Sequence, residues 1–355
     1  MHLQFDTSKT YAIALEGGGA KGAYEVGVWR ALDEAGVRYN AVSGTSVGAL
    51  NGALMVMRDL PRAIDAWSNI QISKIIDLGD MDPDDYKRLL DGKFDADDWQ
   101  LLPLAIGLIR NRGLNVAPLR AWVRELVDAH KIKSSDVDFY VSTFSLTDLK
   151  ALEVHVKDLP EDQICDMLLA SAYHPSFRLE KLGSKFYADG GFVDSLPLHS
   201  LVEAGYRDII AVRIPGPGIE RYFKVPDDMN VTTIQTYADL GSMLNFDAEQ
   251  ARRDMEIGYL DARRVLYGLG GRLYYVERSM SELEALNWIL AHASFGKKGM
   301  REYLERELPR IARQMDAAAA DYYDLMLALA EQRAQARKIP PLRIYTDREL
   351  LALLE

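Results

Sequence analysis

"YAIALEGGGAKGAYEVGVWRALDEAGVRYNAVSGTSVGALNGALMVM", residues 11–57, is the stretch whose reading decides the fold. Its first five residues form a short apolar run that stops at glycines, the pattern of a buried strand. After Gly17 to Gly22, the residues Tyr24, Val28, Ala31, Leu32 and Ala35 recur at helical spacing, and Gly36 is placed to cap that helix. "AVS" at 41–43 is a second apolar run, and Gly48, Ala49, Gly52 and Ala53 then suit a helix lying close on a sheet. Strand, glycine loop and helix, repeated at once, is the grammar of a mostly parallel sheet.

The same alternation continues outward. "DFYVSTF" (138–144) and "ALEVHV" (151–156) read as strands, and a helix is expected after Pro160 with Glu161 and Asp162 in its first turn. "KFYADGG" (185–191) and "RDIIAVRIP" (207–215) supply further strands. Residues 77–98 carry nine aspartates and read as a solvated connection or surface helix. They run into "LLPLAIGLI" (101–109), which is either a lid over an apolar site or a core helix. From about residue 226 the pattern turns helical, with a Ser281/Glu284 capping box and a long helix expected through 300–335. "PGPG" and "VPDD" mark a boundary near 216–226, giving a first domain over 9–215 and a largely helical C-terminal region over 216–355.

Composition bounds the function. The 355 residues are 48% hydrophobic and 27% charged, enough for a sizeable core. A net charge of −11 disfavours nucleic-acid binding, because phosphate backbones select basic faces. One cysteine, Cys165, excludes an intrachain disulfide, and the six histidines show no metal-ligand spacing. No apolar leader or spanning segment stands out, so the expected setting is cytoplasmic, with peripheral contact to membranes.

Gly17-x-Gly19-x-x-Gly22 spells a dinucleotide fingerprint, yet no Asp or Glu lies between residues 35 and 50 to hold a ribose. A P-loop needs Lys-Ser/Thr after the last glycine, and Ala23-Tyr24 stands there. No nucleotide cofactor and no metal is therefore expected. Gly44-Thr45-Ser46-Val47-Gly48, between strand and helix, has the spelling and the context of a nucleophile elbow; the bland alternative is a helix-capping serine between packing glycines. Amides of Gly17, Gly18 and Gly19 could converge on an oxyanion, with Lys21 adding positive charge. For the base, His174 and His199 are open candidates, and Asp189, before Gly190-Gly191 at a strand end, is a stronger one.

Taken together, these residues resemble the patatin-like phospholipase family. Its three motifs occur in order: Gly17-Gly18-Gly19-Ala20-Lys21-Gly22, Gly44-Thr45-Ser46-Val47-Gly48 and Asp189-Gly190-Gly191. "LASAYHPSF" before the aspartate and "GGFVDSLPL" after it fit the same pattern. The resemblance implies a three-layer α/β/α sandwich with a mostly parallel sheet and a Ser46–Asp189 dyad without histidine. It also implies hydrolysis of phospholipids or other acyl-ester lipids through an acyl-enzyme. Two positions depart from the family: His174 stands where an aliphatic residue is usual and is expected to line the substrate site, and Ser195 replaces an asparagine. An acyltransferase or thioesterase using the same acyl-enzyme, and a silent lipid-binding protein, are the competing readings.

Overall fold

Five of the six residues of β1 (Thr10–Leu15) are buried, because the strand is flanked on both edges by other strands and on both faces by helices. The computed structural model describes residues 2–77, 79, 113–216, 218–293, 299–315 and 321–355. The aspartate-rich stretch, beyond Asp77 and Gly79, and the whole of "LLPLAIGLI" lie outside the described residues. The chain divides into two compact units, Asp6–Ala262 on one hand and Met1–Phe5 with Arg263–Glu355 on the other.

In the larger unit, β1 pairs with β2 (Arg38–Thr45) and with β6 (Asp208–Arg213), β3 (Asp138–Ser145) extends the sheet beyond β2, and β7 (Asn230–Gln235) extends it beyond β6, all parallel. β4 (Lys150–His155) and β5 (Tyr187–Asp189) pair antiparallel with β3. The path reads β4-β3-β2-β1-β6-β7, with β5 on β3. β7 lies past residue 215, in the part of the sequence that reads as helical. It is an edge strand, mostly exposed and polar, so it carries little apolar pattern to betray it.

The unit's helices are α1 (Ala23–Glu34), α2 (Val47–Val56), α3 (Leu60–Ser68), α4 (Ala117–Leu126), α5 (Ala129–Ser134), α6 (Glu161–Ser171) and α7 (Leu198–Glu203). α8 (Ala248–Tyr267) carries the chain out of it. α1 stops where the sequence indicates: Gly36 takes φ 73°, its N–H donates to Asp33 O, and Val37 N–H reaches back to Leu32 O. Alternation along the strands divides the core. Ala12, Ala14, Ala41, Ile209 and Ala211 pack on one face against Leu196 and Leu201, around α7. On the other face α2 comes so close that a Cβ on Gly52 would lie 2.9 Å from the Phe139 ring. The result is the expected three-layer α/β/α sandwich.

The smaller unit has its own core. β8 (Tyr275–Glu277) pairs parallel with β9 (Ile344–Thr346), and α9 (Glu282–Ala291), α10 (Leu308–Gln314), α11 (Tyr322–Ala336) and α12 (Asp347–Ala352) pack around Tyr274, Tyr323, Met326, Tyr345 and Leu350. The Ser281/Glu284 capping box is present at the start of α9. The single helix expected through 300–335 is not: a π-turn at Tyr303–Glu307 precedes α10, where Pro309 has no N–H to donate. α11 then starts afresh at Asp321, whose extended backbone (φ −77°, ψ 178°) and side chain cap the Asp324 amide. Among the described residues no helix is long and apolar enough to cross a membrane.

Candidate active site

β2 ends at Thr45 and α2 begins at Val47, so one residue must reverse the chain between them. That residue is Ser46, at φ 56° and ψ −122°, a conformation that costs a non-glycine residue about 1–3 kcal/mol. The flanking glycines are required by contact. A Cβ on Gly44 would sit 2.3 Å from Gly48 O, and one on Gly48 would sit 2.6 Å from Leu15 O. The turn is also tied down by hydrogen bonds. Ser46 N–H donates to Ser171 Oγ at 2.8 Å, and the fully buried Ser171 hydroxyl donates in turn to Ser142 O at 2.6 Å. Thr45 Oγ1 donates to Asp194 O at 2.8 Å. We expect Gly44→Ala to lower stability by about 1–3 kcal/mol, as overpacking does, and to displace Ser46 as well. A melting midpoint unchanged from wild type would show the contact to be harmless.

Asp189 reaches this turn through β3. Ser142 of β3 pairs with Thr45, the last residue of β2, and the next residue, Thr143, pairs with Asp189, the last residue of β5. β3 thus butts two strand ends against each other, and what meets at the joint is Ser46 and Asp189. Ser46 Oγ donates to Asp189 Oδ2 at 2.7 Å, while Gly191 N–H donates to Oδ1 at 2.8 Å. Gly190 lets the strand end press on β3, since its Cβ would lie 2.3 Å from Ser142 O. Asp189 is 8% exposed, and burial pushes its pKa up to about 6, against the opposing pull of its two hydrogen bonds.

The glycine loop lies alongside. A Cβ on Gly17 would be 3.3 Å from Ser46 Cβ. Gly17 N–H, however, donates to Ser195 O at 2.9 Å, which takes it out of the set of amides free to meet an oxyanion. Ala20 N–H donates to Met243 O at 2.7 Å. Between them, the amides of Gly18 and Gly19 donate to no acceptor among the described residues. Lys21 Nζ donates to Pro215 O at 2.8 Å and fastens the loop after β6 to this one. Gly22 O accepts from Asn51 Nδ2, and Asn51 Oδ1 accepts from Trp67 Nε1, so the loop's far end is held by buried polar groups.

Two cavities meet at Ser46. One, about 520 Å³ with its open mouth included, is walled mainly by apolar side chains such as Leu50, Trp67, Leu119, Trp122, Phe177 and Phe246. The other, about 740 Å³ on the same measure, is lined by Gly17, Gly18, Gly191, Ser195, Gly218 and Ile219, with Phe192 at its side. The residues common to both linings are Ser46, Asp189, His174 and Met243.

Of the two histidine candidates for a base, neither is the partner of Ser46 Oγ, whose hydrogen bond goes to Asp189. His174 is half-buried beside the site with Nδ1 turned to Ser176. His199 lines neither cavity and bridges Glu153 (3.2 Å) and Glu203 (3.3 Å). Those three residues bring donor atoms within 4.8 Å of one another, and Glu153 also pairs with Arg221. Sequence reasoning missed Ser171 and Met243. Ser171 stands in the small-residue run "LASAY" without any mark of its contact, and Met243 sits in a loop with no motif.

Comparison with known proteins bears on this geometry. A patatin-like phospholipase family model matches residues 13–202, more than half of the chain. Patatin-like phospholipase domain-containing protein 7 of Rattus norvegicus is 26% identical over 208 residues, which cover 59% of this chain and 14% of that protein. Lysophospholipase nte1 of Aspergillus terreus is 50% identical over 46 residues, 13% of this chain and 3% of that one. The chain thus matches only a small part of the length of these relatives. Among solved structures, VipD from Legionella pneumophila aligns with a TM-score of 0.43 and 16% identity, covering 93% of this chain and 80% of that one. The family match spans β1 to α7, and with it the glycine loop, the Ser46 turn and Asp189: the chain belongs to the patatin-like phospholipase family.

Proposed function

We propose that this chain is a serine lipid acyl hydrolase of the phospholipase A or lysophospholipase type, with Ser46 as nucleophile and Asp189 as its base. The observation that carries the reading is the 2.7 Å hydrogen bond from Ser46 Oγ to a buried carboxylate whose pKa is raised to about 6. An ordinary aspartate, near pKa 3.9, is a feeble base at neutral pH. One at about 6 is still largely ionised at pH 7 and takes a proton far more readily.

In the first half-reaction Ser46 Oγ attacks the ester carbonyl as its proton passes to Asp189. The tetrahedral oxyanion is met by the amides of Gly18 and Gly19, the two without an acceptor among the described residues, while Gly17 supports the loop through Ser195. Lys21 acts in this reading by holding the loop rather than by touching the substrate. The C–O bond to the alcohol breaks, Asp189 returns the proton to the departing oxygen, and the acyl group stays on Ser46. Water then attacks the acyl-enzyme, with Asp189 again accepting the proton, and releases the fatty acid. The apolar cavity suits the acyl chain and the wider one the alcohol portion. The family and the lysophospholipase relative support lipid esters as substrates.

The test is chemical. A fluorophosphonate probe should label the native protein at a single peptide, the one containing Ser46, and preincubation with the probe should abolish release of fatty acid from phospholipid and lysophospholipid vesicles. Labelling elsewhere, or none, leaves the lipid-binding reading ahead.

A further inference from the structure

Four residues line both cavities; on the hydrolase reading above the scissile ester lies where they meet, with acyl chain on one side and alcohol on the other. Ser46 and Asp189 are engaged with each other there, and Met243 brings a thioether. His174 is the remaining polar side chain at the junction. Its orientation is set by its own turn: Nδ1 lies 2.8 Å from Ser176 Oγ and accepts the Ser176 backbone N–H at 3.3 Å. A ring nitrogen that accepts a backbone N–H carries no proton, so the proton of the neutral ring is on Nε2. The Phe177 ring packs beside the imidazole in an edge-type contact, 5.9 Å between centroids and 64° between planes. Burial, with no charged partner, holds the imidazole below its usual pKa and therefore neutral at pH 7. Nε2 has no protein partner among the described residues, whereas Nδ1 is engaged by Ser176.

We propose that His174, through Nε2–H, is the hydrogen-bond donor to the departing alcohol oxygen and tunes the enzyme to esters of poorly leaving, aliphatic alcohols such as glycerolipids. The inference rests on the hydrolase reading above. Electrons and protons balance without a net proton from the imidazole. As the carbonyl carbon–oxygen bond breaks, its electron pair goes to the alcohol oxygen, and Asp189 supplies the proton taken from Ser46. Nε2–H lowers the charge on that oxygen while the transfer is under way. The contribution grows with the charge developed, so it is large for an aliphatic alkoxide and small for a leaving group that is already a stable anion.

The test compares two esters of the same fatty acid, a monoacylglycerol and a 4-nitrophenyl ester, with wild type, His174→Ala and His174→Gln. For His174→Ala the ratio of kcat/KM for the 4-nitrophenyl ester to that for the glyceryl ester should rise about tenfold to a hundredfold, the range of one well-placed donor to a leaving group. The loss should fall on kcat rather than KM. His174→Gln, whose amide N–H can take the place of Nε2–H, should recover part of that ratio. Melting midpoints of both variants show whether they fold. An unchanged ratio, whether both rates fall together or neither falls, overturns the proposal and gives His174 a packing role. Fluorophosphonate labelling of the wild-type protein separates the two levels: without labelled Ser46 the hydrolase reading itself fails, while labelled Ser46 with an unchanged ratio removes only the role of His174.

Discussion

Ser46→Ala should reduce phospholipid and lysophospholipid hydrolysis by about 10⁴–10⁶-fold in kcat, to the residual level that binding and oxyanion stabilisation supply alone. The size follows from the mechanism: without Oγ there is no acyl-enzyme, and Asp189 can only assist a water in a space shaped for a covalent step. The fold should survive. Alanine needs no more room than serine, and the contacts that hold the turn are made by the backbone of residue 46 and by Ser171, Ser142 and the flanking glycines. The melting midpoint should move by a few degrees at most, and fluorophosphonate labelling should vanish. If the variant kept a tenth of the wild-type rate, Ser46 would not be the nucleophile.

Asp189→Asn should cost about 10²–10⁴-fold in kcat/KM, the usual contribution of a general base, and should remove the acid limb of the pH profile. On the proposed mechanism only ionised Asp189 can accept the Ser46 proton. With its pKa at about 6, kcat/KM should rise roughly tenfold per pH unit up to about pH 6 and level off above it. The same shift has a consequence for stability with the opposite sign. A carboxyl whose folded pKa is above its unfolded value of 3.8 favours the folded state below pH 3.8, and that contribution is lost as pH rises through about 6. At pH 8 the buried charge therefore works against the fold, by at most ~3 kcal/mol for a shift of about two units. Asp189→Asn should melt higher than wild type at pH 8 and show no such advantage at pH 4. An inactive variant with no gain at pH 8 would mean that the carboxylate is better solvated than its burial implies. A variant with full activity would refute the base.

Much of this molecule was legible before its structure. The strand runs at 11–15, 138–144 and 207–215, the Gly36 cap and the Ser281/Glu284 box are local patterns, and each local pattern is fixed by sterics and hydrogen bonds among near neighbours. The helix through 300–335 is two: the first ends at Gln314 with Met315 as its C-cap, and the second starts at Asp321, whose side chain caps the Asp324 amide, an N-cap residue legible in the sequence. β7 escaped the reading for a tertiary reason. An exposed edge strand is held by the hydrogen bonds of its neighbour, and its own side chains need carry little signal.

By itself the sequence determined the parallel α/β grammar, the order of the three glycine motifs and the identities of Ser46 and Asp189 as the pair worth watching, because residue type and short spacing dictate backbone geometry. Only the tertiary structure decided what those residues do to one another. Ser46 and Asp189 stand 143 positions apart, and the registers of two strands on β3 bring them to 2.7 Å. Burial, which no spacing encodes, raises the aspartate's pKa. A carbonyl from Ser195 takes the Gly17 amide, while the amides of Gly18 and Gly19 donate to no acceptor among the described residues. His174, one odd residue in a familiar pattern, proves to stand where the two cavities join. Chain-distant contact and desolvation are products of packing, and packing is settled by the whole chain at once.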